Sequence, residues 1–236
     1  STLMRSSAAS DVYKRQAYTL QQMLNWNHDY GDHSVGVLAA HEYYKDVTTS
    51  VSGSKNTLFY PGASELGGYI NVVGASSGYS KYNNEGWIFR ALYDYSDRYF
   101  AAVSYRRDAS SRFHPKHRWG NFWSASAAWL ISDESFMEEI TWIDMLKLKV
   151  SYGSQGNDNI GNFNYINTYA IQNNNGTPSL VPNQMGNENI TWETNGNFNA
   201  GFEFGVLDNR LTGSFEGFIR KTSDMLYYFP LPPSMG

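Results

Sequence analysis

Residues 191–204 read Thr191-Trp192-Glu193-Thr194-Asn195-Gly196-Asn197-Phe198-Asn199-Ala200-Gly201-Phe202-Glu203-Phe204. Trp192, Thr194, Gly196, Phe198, Ala200, Phe202 and Phe204 fall on one face of an extended chain. Glu193, Asn195, Asn197, Asn199, Gly201 and Glu203 fall on the other. Side chains alternate across a strand, so this run specifies one two-faced strand, far longer than the roughly 5–6 residues of an average soluble one. Leu207-Asp208-Asn209 then supply Asx-turn chemistry. Residues 210–221 alternate again, with Leu211, Gly213, Phe215, Gly217 and Ile219 against Thr212, Ser214, Glu216, Phe218 and Arg220. The pattern predicts a long antiparallel hairpin.

The same unit recurs upstream. Residues 17–30 and 33–47 flank Gly31-Asp32, and residues 85–95 and 98–108 flank Ser96-Asp97. Residues 121–131 and 146–155 form a further pair, in which Trp123, Ala125, Ala127 and Trp129 face one way and Lys147, Lys149 and Ser151 oppose Leu146, Leu148, Val150 and Tyr152. Only residues 133–144 suggest a helix, with Ser132 as its cap and Asp133 and Glu134 in its first turn. The chain therefore predicts an all-β fold of about eight antiparallel strands in four hairpins.

Composition narrows the class. Of 236 residues only 17% are charged, against about 25% in a typical soluble domain, while 16% are aromatic. Mean hydropathy is nevertheless −0.50. Few charges with many aromatics and neutral polar residues suit a β-protein that faces two solvents, or one that binds glycans. No apolar run approaches the roughly 18 residues of a spanning helix. The absence of Cys excludes a disulfide scaffold and thiol chemistry, and a net charge of −4 gives nucleic acid no basic stripe to grip.

The connections within hairpins are short, except at residues 131–145, whereas those between hairpins are long: residues 48–84, 109–120 and 156–190. Short turns at one rim, long loops at the other and strands of 10–15 residues are the pattern of an outer-membrane β-barrel, with the short turns periplasmic and the long loops extracellular. Trp26, Tyr43, Trp87, Tyr99, Trp129 and Trp192 are the expected interfacial girdle. A soluble sandwich or lectin also has one polar face per strand and is the competing architecture, although its strands are shorter and its turns closer together. A passive porin or adhesin shares the barrel pattern.

Residues 95–113 carry Arg98-Tyr99 and then Arg106-Arg107-Asp108-Ala109-Ser110-Ser111-Arg112-Phe113, followed by Arg118-Trp119-Gly120-Asn121-Phe122-Trp123-Ser124-Ala125-Ser126-Ala127-Ala128-Trp129. Glu134-Ser135-Phe136-Met137, the stretch from Leu146-Lys147-Leu148-Lys149-Val150-Ser151-Tyr152-Gly153 to Gly156-Asn157, Trp192-Glu193, Asn209-Arg210-Leu211 and Lys221-Thr222-Ser223-Asp224-Met225-Leu226 follow in order. This succession closely resembles the SusC/RagA family of TonB-dependent outer-membrane transporters of Bacteroidetes. Ala109 departs from it, because the family carries Gly there, and costs stability if the position needs φ > 0.

The resemblance implies a 22-stranded barrel around an N-terminal plug, located in the cell outer membrane. Such a barrel imports oligosaccharides, or peptides, with energy from the TonB complex and with a SusD-like surface lipoprotein over its mouth. At about 28 residues per strand, this chain holds roughly a third of such a barrel, without the plug. The domain expectation is thus a non-native or disordered tail over residues 1–16 and a partial barrel over residues 17–236. The Pro-rich tail from Phe229 to Gly236 reads as a loop cut short.

Chemistry in the chain is sparse, and neither an enzyme nor a cofactor is expected: no G-x-S-x-G, P-loop or H-E-x-x-H pattern occurs. His114 and His117 lack a carboxylate at ligand spacing and read as exposed loop residues rather than a metal site. Asp133, Glu134, Glu138 and Glu139 read as a solvated acidic face. Lys147, Lys149, Glu203 and Arg220 are expected to line the lumen or meet the plug. Arg106, Arg107, Asp108 and Arg112 are expected to form a rim charge network that holds loops. A sugar offers one apolar face and a hydroxyl edge, so aromatic rings and amides are its natural partners. On the long loops Tyr60, Tyr79, Tyr82, Phe113, Trp119, Tyr165, Tyr169 and Asn173, with Asn174 and Asn175, fit that description, and the same surfaces suit the lipoprotein partner.

Overall fold

The computed structural model describes residues 7–60, 62 and 64–228. Ten strands run in chain order: β1 (Ser7–Tyr30), β2 (His33–Leu58), β3 (Tyr69–Tyr95), β4 (Tyr99–Ser110), β5 (Trp119–Leu130), β6 (Ile143–Asn157), β7 (Thr168–Asn174), β8 (Thr177–Gln184), β9 (Glu193–Val206) and β10 (Leu211–Ser223). Eight of them form one sheet in the order β1-β2-β3-β4-β5-β6-β9-β10, and β7 and β8 form a separate hairpin. The eight strands and four hairpins expected from the sequence are all present.

Three boundaries differ. Residues 7–16, expected to be a tail outside the fold, lie in β1, whereas residues 1–6 and the Pro-rich tail lie outside the described residues. The expected long loop at residues 48–84 shrinks to ten residues, because β2 runs on to Leu58 and β3 starts at Tyr69. No helix spans residues 133–144: two three-residue 3₁₀ turns, Ile131–Asp133 and Ser135–Met137, are followed by turn residues 138–142 and then β6. Ser132 caps nothing there. A lone helix below roughly 12–15 residues is marginal, and competing partners take the backbone. The Trp142 carbonyl accepts the Leu207 N–H at 3.0 Å, and the Asp144 carboxylate accepts the Asn209 N–H at 2.9 Å.

Two compact units divide the chain. One comprises residues 1–19 and 44–83, the other residues 20–43 and 84–236. In the first, β1 and β2 are tied by an Arg15–Asp46 ion pair at 2.5 Å, with the Tyr44 hydroxyl donating to the same carboxylate at 3.0 Å.

In the second unit the register stacks side chains into rows across the sheet. One row is Tyr95, Tyr99, Trp129, Leu148, Phe202 and Phe215; the next on that face is Tyr93, Ala101, Ala127, Val150, Ala200 and Gly217; a third is Ala91, Val103, Ala125, Tyr152, Phe198 and Ile219. The opposite face carries Leu92, Ala102, Ser126, Ser151, Asn199 and Phe218, then Asp94, Phe100, Ala128, Lys149, Gly201 and Glu216. The hairpin turns match this twist. Ser96 and Asp97 both take positive φ, 53° and 55°, and Arg98 N–H closes the turn on the Tyr95 carbonyl at 3.0 Å.

Five apolar side chains are buried among the described residues: Tyr69, Ala109, Phe113, Phe122 and Trp192. The aromatic and aliphatic rows stay open, with Val103, Trp123, Phe215 and Ile219 between 50% and 69% exposed. Such a sheet has no core of its own on its apolar face.

Candidate functional site

The buried cluster sits at the end of the sheet where β4 gives way to residues 111–118. Phe113 is fully buried. Its ring centroid lies 5.3 Å from that of Trp192, and Phe122 meets Trp192 edge-on at 5.4 Å. Ile160, Ile190 and Leu226 pack around the three. The Trp192 indole N–H donates to the Arg118 carbonyl at 2.8 Å, so this aromatic finds the polar partner it needs inside the cluster.

Polar contacts extend the anchor. The Ser110 hydroxyl donates to the Asp158 carboxylate at 2.6 Å, and Arg112 donates to the Asp158 carbonyl at 2.9 Å while pairing with its carboxylate at 3.5 Å. Arg106 Nε donates to both oxygens of the buried Asp108 side chain, at 2.7 and 2.8 Å. Glu193 accepts from the Asn157 amide and from the Leu226 N–H, each at 3.1 Å. Residues from four loops are thereby fixed on one end of the sheet, and beyond them His114 stacks edge-on to Tyr165 at 5.7 Å.

The polar face below carries Lys149, which pairs with Glu203 at 2.5 Å and Glu216 at 3.0 Å. A trough of about 680 Å³ runs along this face past Asn27, Ser126, Lys149, Ser151, Asn199 and Glu216. At the opposite end, next to the short turns, Glu134 accepts from the Tyr99 hydroxyl and from the Trp129 indole at 3.0 Å, and Arg98 stands 3.5 Å away. The Tyr99 hydrogen bond, seconded by Trp129 and Arg98, holds the Glu134 carboxyl below its usual range.

A family model described as "TonB dependent receptor-like, beta-barrel" matches residues 3–236. The chain belongs to the TonB-dependent receptor-like β-barrel family. A TonB-dependent receptor of Formosa agariphila is 37% identical over 151 residues, covering 62% of this chain and 14% of the relative. TonB-dependent receptor SusC of Bacteroides thetaiotaomicron is 35% identical over 151 residues, covering 61% and 15%. The solved RagAB peptide transporter shares the fold, with a TM-score of 0.90 at 24% identity over 96% of this chain and 26% of that one. The chain thus spans about a seventh of the length of the first two relatives.

Within this TonB-dependent receptor barrel the sequence candidates separate. Phe113, expected to meet substrate, is sealed in the cluster with no exposed surface. Trp119 is the first residue of β5, on the apolar face under the Arg107 guanidinium at 5.0 Å. Arg107 therefore stands apart from Arg106, which pairs with Asp108, and from Arg112, which pairs with Asp158 beside Ser110. Strand alternation turns adjacent Arg106 and Arg107 to opposite faces.

Asn173 is spent on the β7–β8 turn, accepting the Gly176 N–H at 2.7 Å. Tyr169 is exposed on β7, and Tyr165 stands against His114. Tyr60 and Tyr79 are exposed in the first unit, where the Tyr82 ring lies tilted against that of Tyr44 at 6.0 Å. Of the girdle candidates, Trp87, Tyr99 and Trp129 are on the apolar face, Trp26 is 49% exposed on β1, and Tyr43 is on β2. Trp192 instead turns to the polar side, where Phe122 holds it. His114 and His117 stand with ring centroids 6.4 Å apart, and no group of three or more His, Asp or Glu side chains able to hold a metal occurs among the described residues.

Asp158, Ser110, Phe122 and Glu134 were not legible as site residues. Asp158 follows the Gly156-Asn157 signature directly, and Phe122 sits between Gly120 and Gly156, whose missing side chains make room for its ring. Ala109 needs no positive φ: it is buried within β4 opposite Glu85 and Trp119, so the departure from Gly costs no backbone strain.

Proposed function

We propose that this chain forms part of the wall of a TonB-energised outer-membrane importer of the SusC/RagA type, whose imported class is oligosaccharide. The observation that carries this reading is the two-faced sheet. Three successive rows of aromatic, aliphatic and small side chains lie open on one face, and amides, hydroxyls and a Glu–Lys–Glu triad lie on the other. Exposed apolar rows of that extent cost a soluble protein heavily but match hydrocarbon. In the complete protein further strands would close the sheet around a plug, and the anchored end would present Tyr165 and Tyr169 to a sugar face or to a SusD-like lipoprotein. Force from the TonB complex would reach the substrate through the plug, not through these strands.

Deleting the complete gene and following growth on defined oligosaccharides and on peptides tests this reading. Loss of growth on one class of oligosaccharide, with the protein found in the outer-membrane fraction, is the expected result. Loss of peptide-dependent growth alone would reassign the substrate. A protein recovered in the soluble fraction would overturn the reading.

A further inference from the structure

Arg107 differs in its surroundings from the ion-paired cations. Arg15, Arg98, Arg106, Arg112 and Lys149 each pair with a carboxylate. Arg107 has no carboxylate partner among the described residues and lies on the apolar face, its guanidinium 5.0 Å above the Trp119 ring. Its register partners on that face are Trp87 on β3 and Asn121 on β5. The neighbouring acid, Glu85, is taken by His41 at 3.1 Å, and the Asn121 carbonyl oxygen accepts the Tyr105 hydroxyl at 2.8 Å. A recess of about 480 Å³ opens between Trp87, Phe89, Tyr105, Arg107 and Trp119.

Height along the strand gives this arrangement its meaning. Tyr99, in the row next to the short turns, stands eight residues from Arg107 on β4. At about 3.4 Å per residue that is about 27 Å along the strand, or about 21 Å once a tilt near 40° is allowed for, and Trp119, level with Ala109, stands about 26 Å up. The apolar band of a barrel is about 25 Å tall, with an aromatic girdle at each edge. Tyr99 and Trp129 mark one edge, so Trp87, Trp119 and Arg107 fall at the other, where lipid headgroups begin. A guanidinium presents a planar fork of donors that fits phosphate oxygens in pairs, and an indole beneath it holds the plane in place.

We propose that Arg107, seated on Trp119 and flanked by Trp87, binds the phosphate of an outer-leaflet lipid headgroup whose acyl chains run down the recess beside Phe89 and Tyr105. This rests on the reading above that the apolar face meets lipid. Charge complementarity commits the site to an anionic lipid, since a neutral chain would leave the guanidinium without a counter-charge in a low-dielectric surround.

The test uses the complete protein in detergent and its Arg107→Gln and Arg107→Lys variants, with native mass spectrometry reading retained bisphosphorylated lipid A. Retention is expected to fall at least fivefold in R107Q and to recover in part in R107K, which restores a point charge without the fork. Lipid A stripped of its phosphates should bind all three forms equally weakly, and millimolar inorganic phosphate should not displace the intact lipid. Equal retention by R107Q, or full displacement by inorganic phosphate, would overturn the proposal and leave the membrane reading standing. So would a change of oligomeric state in R107Q without a change in lipid retention, which would make this face a protein contact. If the wild type stays in solution without detergent and retains no lipid, the membrane reading falls and this site with it.

Discussion

The Trp192 indole donates its N–H to the Arg118 carbonyl at 2.8 Å, joining two residues 74 positions apart. That one bond, with the Phe113 and Phe122 rings packed against the indole, fastens the start of β9 to the loop before β5. The loops at this end are therefore mounted on a small core rather than left free.

Removing the centre of that core should release the loop. Phe113→Ala empties a fully buried site and is expected to cost about 3–5 kcal/mol locally. Hydrogen exchange on the complete protein should show fast exchange confined to residues 111–118 and 190–192, while the amides of β4 and β5 below stay protected.

Close approach at Gly120 makes a second prediction. A Cβ there would meet the Phe122 ring at 2.6 Å and the Trp192 ring at 2.9 Å. Gly120→Ala is expected to destabilise by about 1–3 kcal/mol through overpacking. Adding Phe122→Leu to it should recover part of the loss, a non-additivity that a thermal double-mutant cycle detects.

Glu134 makes the short-turn rim pH-sensitive. Its folded-state carboxyl titrates below its ordinary range because Tyr99, Trp129 and Arg98 favour the charged form. A group depressed on folding stabilises above its unfolded value, about 4.3 for Glu, and that contribution is lost as pH falls through the lower folded value. Trp129 fluorescence should therefore change on acidification only below the ordinary Glu range. Glu134→Gln should abolish that step and leave the neutral-pH spectrum near wild type.

Lys149 is shared between two carboxylates on the polar face. Lys149→Met should leave Glu203 and Glu216 facing each other without a counter-charge. Because all three side chains are about one-third exposed or more, solvent screening keeps the expected coupling small. A cycle pairing Lys149→Met with Glu203→Gln, read by thermal unfolding, checks it.

The long strands were legible because one apolar face and one polar face force strict alternation, as in residues 193–204. Where both faces of a strand meet water that contrast disappears. Residues 48–58 and 69–84, rich in Ser, Gly, Asn and Tyr, extend β2 and β3 without any period-two signal and so resembled a loop. The β7–β8 hairpin did carry a local mark: Asn175-Gly176, with φ of 50° and 87°, is a hairpin turn pair inside what looked like loop sequence. The anchored rim was half legible. Arg106, Asp108 and Arg112 lie together in sequence, but Asp158 reaches Arg112, and Trp192 reaches Phe113, only through tertiary folding. Adjacency also misplaced Arg107, because neighbours on a strand face opposite ways.

The central claim is that one face of this sheet meets lipid and the other does not. Single nitroxide labels on the complete protein in a bilayer test it most directly, placed along β4 and β5 at Ala101, Ala102, Val103 and Ser104 and at Ser124, Ala125, Ser126 and Ala127. Collision with oxygen, which concentrates in hydrocarbon, should be high at Ala101, Val103, Ala125 and Ala127 and low at Ala102, Ser104, Ser124 and Ser126. Collision with a water-soluble nickel chelate should not be high at the first group. Equal accessibility at adjacent positions, or high chelate collision at Val103 and Ala125, would contradict the account.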